Sequence, residues 1–287
     1  MGHATIRHSD EFGLGATLSK ILGKIFGLRS SGARETARQV EAKTVDQRQE
    51  PSDVGRAAVA DVIPVTPSPS TLIERLAPDV ERTIHLLSRR KFDPDPLAGA
   101  HFSRIVSLLS SSYKRHGFIL EAAIREQLKT NPDFEVWNDG EFHVSKEAMS
   151  QAATIKGEGP VPRQFKYDPK SANYLQVDTL VWNRTTRTIK AYEVKRGHGE
   201  HDAGKKRSIR RDLACIESHL IDYAKQRGFK AKEARAHVIF YYGRRSIPAP
   251  LSLIGTELDD HFGMSVCREV ETVNDHFKRR LFEILSG

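Results

Sequence analysis

The chain has 287 residues, 38% of them apolar, with 45 Lys and Arg against 37 Asp and Glu, a net charge of +8 and a pI near 9.4. That length suits one large domain or one domain with appendages, and the charge balance favours a polyanionic partner. Its two cysteines, Cys215 and Cys267, exclude a disulfide-rich secreted scaffold and fit a reducing cytoplasm, and no stretch approaches the length of a transmembrane helix.

Residues 1–70 read as an arm. Leu14, Leu18, Ile21, Leu22, Ile25 and Leu28 recur at helical spacing, with Lys20, Lys24 and Arg29 off the stripe, which predicts a short basic amphipathic helix over 14–28. Docking on a partner or on the protein itself is its plainer use, and contact with an anionic membrane the rarer one. A polar stretch follows, closing in Pro64, Pro67 and Pro69 as a stiff linker. Residues 1–97 carry 14 basic and 13 acidic side chains, so the positive excess lies in 98–287, with 31 against 24.

A helical lead-in is expected over 71–115. Leu72, Leu76, Val80, Ile84 and Leu87 share one face, with Ser70 or Thr71 as N-cap, and Pro94 and Pro96 end the run. Phe102, Ile105, Val106 and Leu109 repeat the pattern, and a further helix, Phe118 to Leu128, is expected after Gly117. There Glu121 shares the side of Ile124 and Leu128, whereas Glu126 points away. Phe134–Trp137 and Glu141–Val144 flank Asn138-Asp139-Gly140, a sequence typical of a hairpin turn. A polar segment runs on to Arg163.

Val177–Trp182 and Thr188–Val194, both rich in β-branched and aromatic residues, flank the polar loop Arg184–Arg187, which predicts an antiparallel hairpin. Pairing Asn183 with Thr188 sets Val181 opposite Lys190 and Asp178 opposite Glu193. Directly opposed like charges are destabilising, and the two-residue strand period puts Lys195 on the face of Glu193. A hard divalent cation such as Mg²⁺, which takes one or two carboxylates plus waters and phosphate, would relieve that repulsion.

The basic stretch Arg196–Arg211 reads as a loop, followed by a helix Ile209–Lys225 that buries Ile209, Leu213, Ile216 and Leu220 and stops near Gly228. Cys215, on that helix, reads as a small buried residue. Ala236–Tyr242 is nearly continuous in apolar residues, as in a strand covered on both faces. Val270, Val273, Phe277, Leu281 and Ile284 define a last amphipathic helix in a helical extension over 246–287, packed on the domain or on a second subunit of a homodimer.

Asp178, fourteen residues, then Glu193-Val194-Lys195 resembles the D…(D/E)-x-K signature of the PD-(D/E)xK nuclease superfamily, the restriction-endonuclease-like fold. The proline that often precedes the family's aspartate is absent, and Val177 stands there. The resemblance spans roughly residues 100 to 245 and implies an α/β fold with a nuclease-like core over 116–245. That core has the order α-β-β-β-α-β, a central mixed sheet flanked by helices, with added helices at both ends. It further implies a Mg²⁺-dependent nuclease, with Mn²⁺ as a substitute, that most readily acts on DNA as an endonuclease. Asp178, Glu193 and the Val194 carbonyl would hold the metal, Lys195 would orient or deprotonate the attacking water, and Glu121 would match a glutamate placed on the helix before the first strand. Lys205, Lys206, Arg207, Arg210 and Arg211 are placed to neutralise flanking phosphates.

Two other functional classes fit the same residues: a nuclease-like module that binds nucleic acid or protein without cutting, and a delivered effector or toxin with residues 1–70 as its targeting arm. His198 and His201 present an H-x-x-H pair suited to zinc, without a further His or Cys pair at finger spacing.

Overall fold

The computed structural model describes residues 70–155, 163–197 and 200–286, which all fall in one compact unit, Ser68–Gly287. The helix and linker expected within residues 1–69 lie outside the described residues.

Helix α1 (Leu72–Ser88) starts where the sequence places it. Thr71 accepts from the Glu74 amide, Glu74 returns a bond to the Thr71 amide, and Leu72, Leu76, Val80, Ile84 and Leu87 are all buried. Helix α2 (Gly99–Leu128) is one continuous helix, so the division expected at 115/116 falls in its interior. Gly117 does not break it, because one glycine costs only about 1 kcal/mol and the buried face runs through it. That face runs from Ser103, Leu108, Ser112 and His116, three of them polar, through Ile119, Leu120, Ala123 and Ile124 to Gln127 and Leu128. Phe102 and Phe118 consequently point outward, 64% and 65% exposed.

Strand β1 (Phe134–Val144) replaces the expected hairpin: it pairs with β2 (Asn173–Asn183) along its whole length. Asp139 and Gly140 sit at irregularities of the ladder rather than in a turn. The Asp139 carboxylate accepts from the Glu141 amide and the Tyr223 hydroxyl. Between β1 and β2 lies a helix that the polar composition concealed, α3 (Lys146–Thr154), capped by the Ser145 hydroxyl accepting from the Ala148 amide. β2 turns through Arg184–Arg187 into β3 (Thr188–Lys195), with Asn183 opposite Thr188 and Val181 opposite Lys190 as counted from the sequence.

Helix α4 (Ala203–Gln226) begins six residues before the expected Ile209, so most of the basic stretch read as a loop is helical. The signal was Asp202, whose carboxylate accepts from the Lys205 amide as N-cap. Strand β4 (Glu233–Phe240) runs parallel to β3. The short β5 (Ser252–Ile254) then joins β4, also parallel, inside the region expected to be wholly helical. Helices α5 (Leu258–Phe262) and α6 (Cys267–Ser286) follow.

The five strands form one mixed sheet in the order β1-β2-β3-β4-β5. One face buries Val181, Tyr192, Val194 and Ile239 under α1, α2, α5 and α6, and the other buries Leu180, Ile189, Ala191, Val238 and Phe240 under α3 and α4. Cover on both faces explains the unbroken apolar run of β4. Arg280 on α6 ties back to Glu81 on α1 at 2.8 Å, closing the helical layer.

Candidate active site

The register of β2 is displaced at Asp178. Trp137 faces Leu180 and Asp139 faces Val177, so two steps on β1 correspond to three on β2. The extra residue puts Val177 and Leu180 on the same face despite their odd spacing, since both belong to the α4-side core. Such irregularities re-aim a side chain and end a pairing. Both happen here. The β2–β3 ladder stops at Thr179 and Tyr192, one pair short of the expected Asp178–Glu193 pair.

Asp178 takes over where the ladder ends. Its Oδ2 accepts from the Val194 amide at 2.7 Å, and Arg125 of α2 donates to its backbone carbonyl at 2.8 Å. The N–H and C=O of one strand residue point to the same side, so the Val194 carbonyl also faces the opening between β2 and β3. Beside it on the α4 side lies a cavity of about 190 Å³, lined by Val177, Ala191, Glu193 and, from α4, Asp212 and Leu213, but not by Asp178, Val194 or Lys195. Lys195 Nζ lies 2.5 Å from Glu193 Oε1, both side chains partly exposed.

The electrostatics join these groups. Burial pushes the Asp178 carboxyl above its ordinary range and Glu193 pushes the same way, while the Val194 amide, Lys195 and Arg125 pull it down. Glu121 on α2 is pushed up to about 7, first by burial and then by the charge of Asp178, against Arg125 and Lys195. The tertiary structure therefore brings Asp178 within electrostatic reach of Glu121, Glu193 and Lys195.

As donors for a hard cation, Asp178 Oδ1 and Glu193 Oε2 make no hydrogen bond among the described residues. Among those residues, however, no group of three or more His, Cys, Asp or Glu side chains gathers closely enough to hold a metal. At most two carboxylates of this set, Asp178 and Glu193, could thus serve a hard cation, which would take its remaining positions from water and substrate oxygens, as Mg²⁺ commonly does. Glu121 is linked to Asp178 by charge and does not complete a group of three acids. The zinc reading gains nothing. His198 lies outside the described residues, and His201 stands with its Nε2 unpartnered against Phe240.

The cationic stretch now sits on the first turns of α4, where positive charge opposes the helix dipole. Lys206 pairs with Glu200 and Arg211 with Asp212. Lys205 and Arg207 are exposed, and Arg210 is half-buried with an unpartnered Nε. Two neighbours of the site were not singled out from sequence, Arg125 and Asp212; a third, His201, was read there only as half of a zinc pair, and its imidazole feels both Lys195 and Glu193. Arg125 alone had a signal, standing one helical turn after Glu121.

No protein-family model matches this chain, and no curated protein and no solved structure matches it either.

Proposed function

We propose that this protein is a Mg²⁺-dependent phosphodiesterase that cleaves nucleic acid, DNA foremost, as an endonuclease with a restriction-endonuclease-like core. One observation carries the reading: a buried aspartate displaced out of the sheet register, its carboxylate bonded to the amide of Val194, which lies between Glu193 and Lys195. The element order α2-β1-α3-β2-β3-α4-β4, an α-β-β-β-α-β succession with α3 inserted after its first strand, supports it, as do a mixed sheet covered on both faces and the raised carboxyls of Asp178 and Glu121.

Asp178 and Glu193 would hold the metal, with the Val194 carbonyl facing the same opening. The ion would polarise the phosphate and lower the pKa of bound water. Lys195, a compact three-donor ammonium beside Glu193, orients the attacking water and steadies the charge growing on the phosphoryl oxygens. Arg125 holds the Asp178 backbone in its displaced position. Lys205, Arg207 and the neighbouring cations of α4 neutralise flanking phosphates without selecting sequence. A non-cleaving binding module is the second reading, and the 2.5 Å Glu193–Lys195 ion pair favours it, because each charge already answers the other.

Purified protein on plasmid and single-stranded DNA, with Mg²⁺, Mn²⁺ or EDTA, separates the two. Asp178→Asn and Lys195→Ala are expected to abolish metal-dependent cutting while DNA affinity stays near wild type, since affinity comes mainly from phosphate neutralisation. Binding without cutting under either metal would establish the module instead. Neither binding nor cutting would remove both readings.

A further inference from the structure

On the α2–α6 side of the molecule, the residue that follows Lys195 is held in an unusual setting. The guanidinium of Arg196 lies over the ring of Tyr113 at 4.6 Å and over that of Tyr242 at 5.5 Å. Its Nε donates to His116 Nδ1 at 2.9 Å, and the other ring nitrogen of His116 meets Asn274 Oδ1 at 3.0 Å. Asn274 Nδ2 donates in turn to Glu271 Oε1, which also accepts from the Tyr241 hydroxyl at 2.6 Å. His116 is kept neutral, its pKa lowered to about 4 by burial and by Arg196 itself, which suits an Nδ1 acceptor. The chain from Tyr241 to Arg196 thus fixes one edge of the guanidinium in place.

The other edge is uncommitted. The two terminal nitrogens of Arg196 make no hydrogen bond or ion pair among the described residues, although the side chain is half-buried. A half-buried cation held this rigidly, with two donors free, is a receptor for an anion. It opens on a cavity of about 330 Å³ lined by the rings of Tyr113, His116, Phe277 and Phe282, with Tyr113 and Phe282 half exposed; Glu271 and Asp275 line it too, opposed by Lys278, so a phosphate would be held at the Arg196 end. An aromatic-walled cavity beside a fixed guanidinium suits a flat ring carrying a phosphate.

We propose that Arg196 and Tyr113 bind one unpaired nucleotide of the nucleic acid, the guanidinium taking its phosphate and the tyrosine ring stacking on its base. This rests on the nuclease reading. It deepens that reading by making strands with unpaired bases the favoured ligand, just past the end of β3 and next in sequence to the group that would act on the scissile phosphate.

The test uses the full chain with EDTA present, a labelled oligothymidylate, and a duplex of matched length, read by anisotropy across a salt series. Tyr113→Leu should weaken single-strand binding roughly tenfold, the loss of one base stack, and leave duplex affinity within about twofold. Arg196→Met should lower the log–log salt slope on single strand by about 0.7, one phosphate contact. Tyr113 is half exposed, so its variant should melt near wild type; if it does not, Arg196→Met and its salt slope decide. Unchanged single-strand affinity and slope in both variants would overturn the proposal while the nuclease reading stands. So would a changed sedimentation coefficient of Tyr113→Leu with nucleic-acid binding intact, which would mark this face as a self-association surface. A wild type that neither binds nor cuts any nucleic acid would end both.

Discussion

Replacing Glu121 by Gln isolates the strain stored in the acidic cluster. The carboxyl moves from an ordinary 4.5 to about 7 in the folded protein, through burial first and the charge of Asp178 second. For an acid whose folded pKa is raised, the unfolded chain ionises first. The cost to the folded state is absent below about pH 4.5, grows between 4.5 and 7, and is complete above 7. At about 1.36 kcal/mol per pH unit the full cost would be about 3.4 kcal/mol; solvent screening of a side chain that is only partly buried reduces it to roughly 1–2 kcal/mol. Glu121→Gln should therefore raise the thermal midpoint by ~2–8 °C at pH 8 and leave it unchanged at pH 4. Urea unfolding at a series of pH values is the assay. Mg²⁺ at pH 8 should also stabilise the wild type, because a ligand bound only by the folded state shifts the equilibrium towards it. Equal stability of variant and wild type across this pH range would refute the clustering of Glu121 with Asp178.

Arg125→Met removes a charge that pulls both Glu121 and Asp178 down. Both carboxyls should then rise further, so the acidic limb of the cleavage rate against pH moves to higher pH. Changing Lys205, Lys206, Arg207 and Arg211 together should weaken duplex binding and lower the log–log salt slope by up to about 0.9 per lost phosphate contact. The reduction should be smaller to the extent that Lys206 and Arg211 stay with Glu200 and Asp212. Cleavage at saturating DNA should largely recover, and a persistent loss would place those residues in the chemistry. Phe142→Ala empties a fully buried position of the α4-side core and should cost about 3–5 kcal/mol in urea unfolding.

Local pattern was enough for the elements whose periodicity is clean. The five apolar positions of α1, its Thr71 cap, the Arg184–Arg187 turn with the register beyond it, and the apolar β4 are all consequences of side chains three, four or two residues apart. Where the pattern was mixed, tertiary packing decided. The buried face of α2 carries Ser103, Ser112 and His116, which read as polar until α6 supplies Asn274 as a partner for His116. Asp139-Gly140 has turn chemistry, yet β2 offers an uninterrupted partner, and the ladder absorbs the two residues as irregularities.

The candidate site divides in the same way. Asp178, Glu193 and Lys195 are visible as a spacing, because strand period and turn length alone bring them close. Their actual geometry is not, since it depends on one extra residue in β2 measured against β1, and β1 is distant in sequence. That displacement ends the ladder and turns the Val194 amide from a strand partner to the Asp178 carboxylate. Arg125, Asp212 and the Arg196–His116–Asn274 chain reach their places only when helices far apart in sequence pack on the sheet. A charge or hydrogen bond formed across the fold leaves no periodicity along the chain by which to read it.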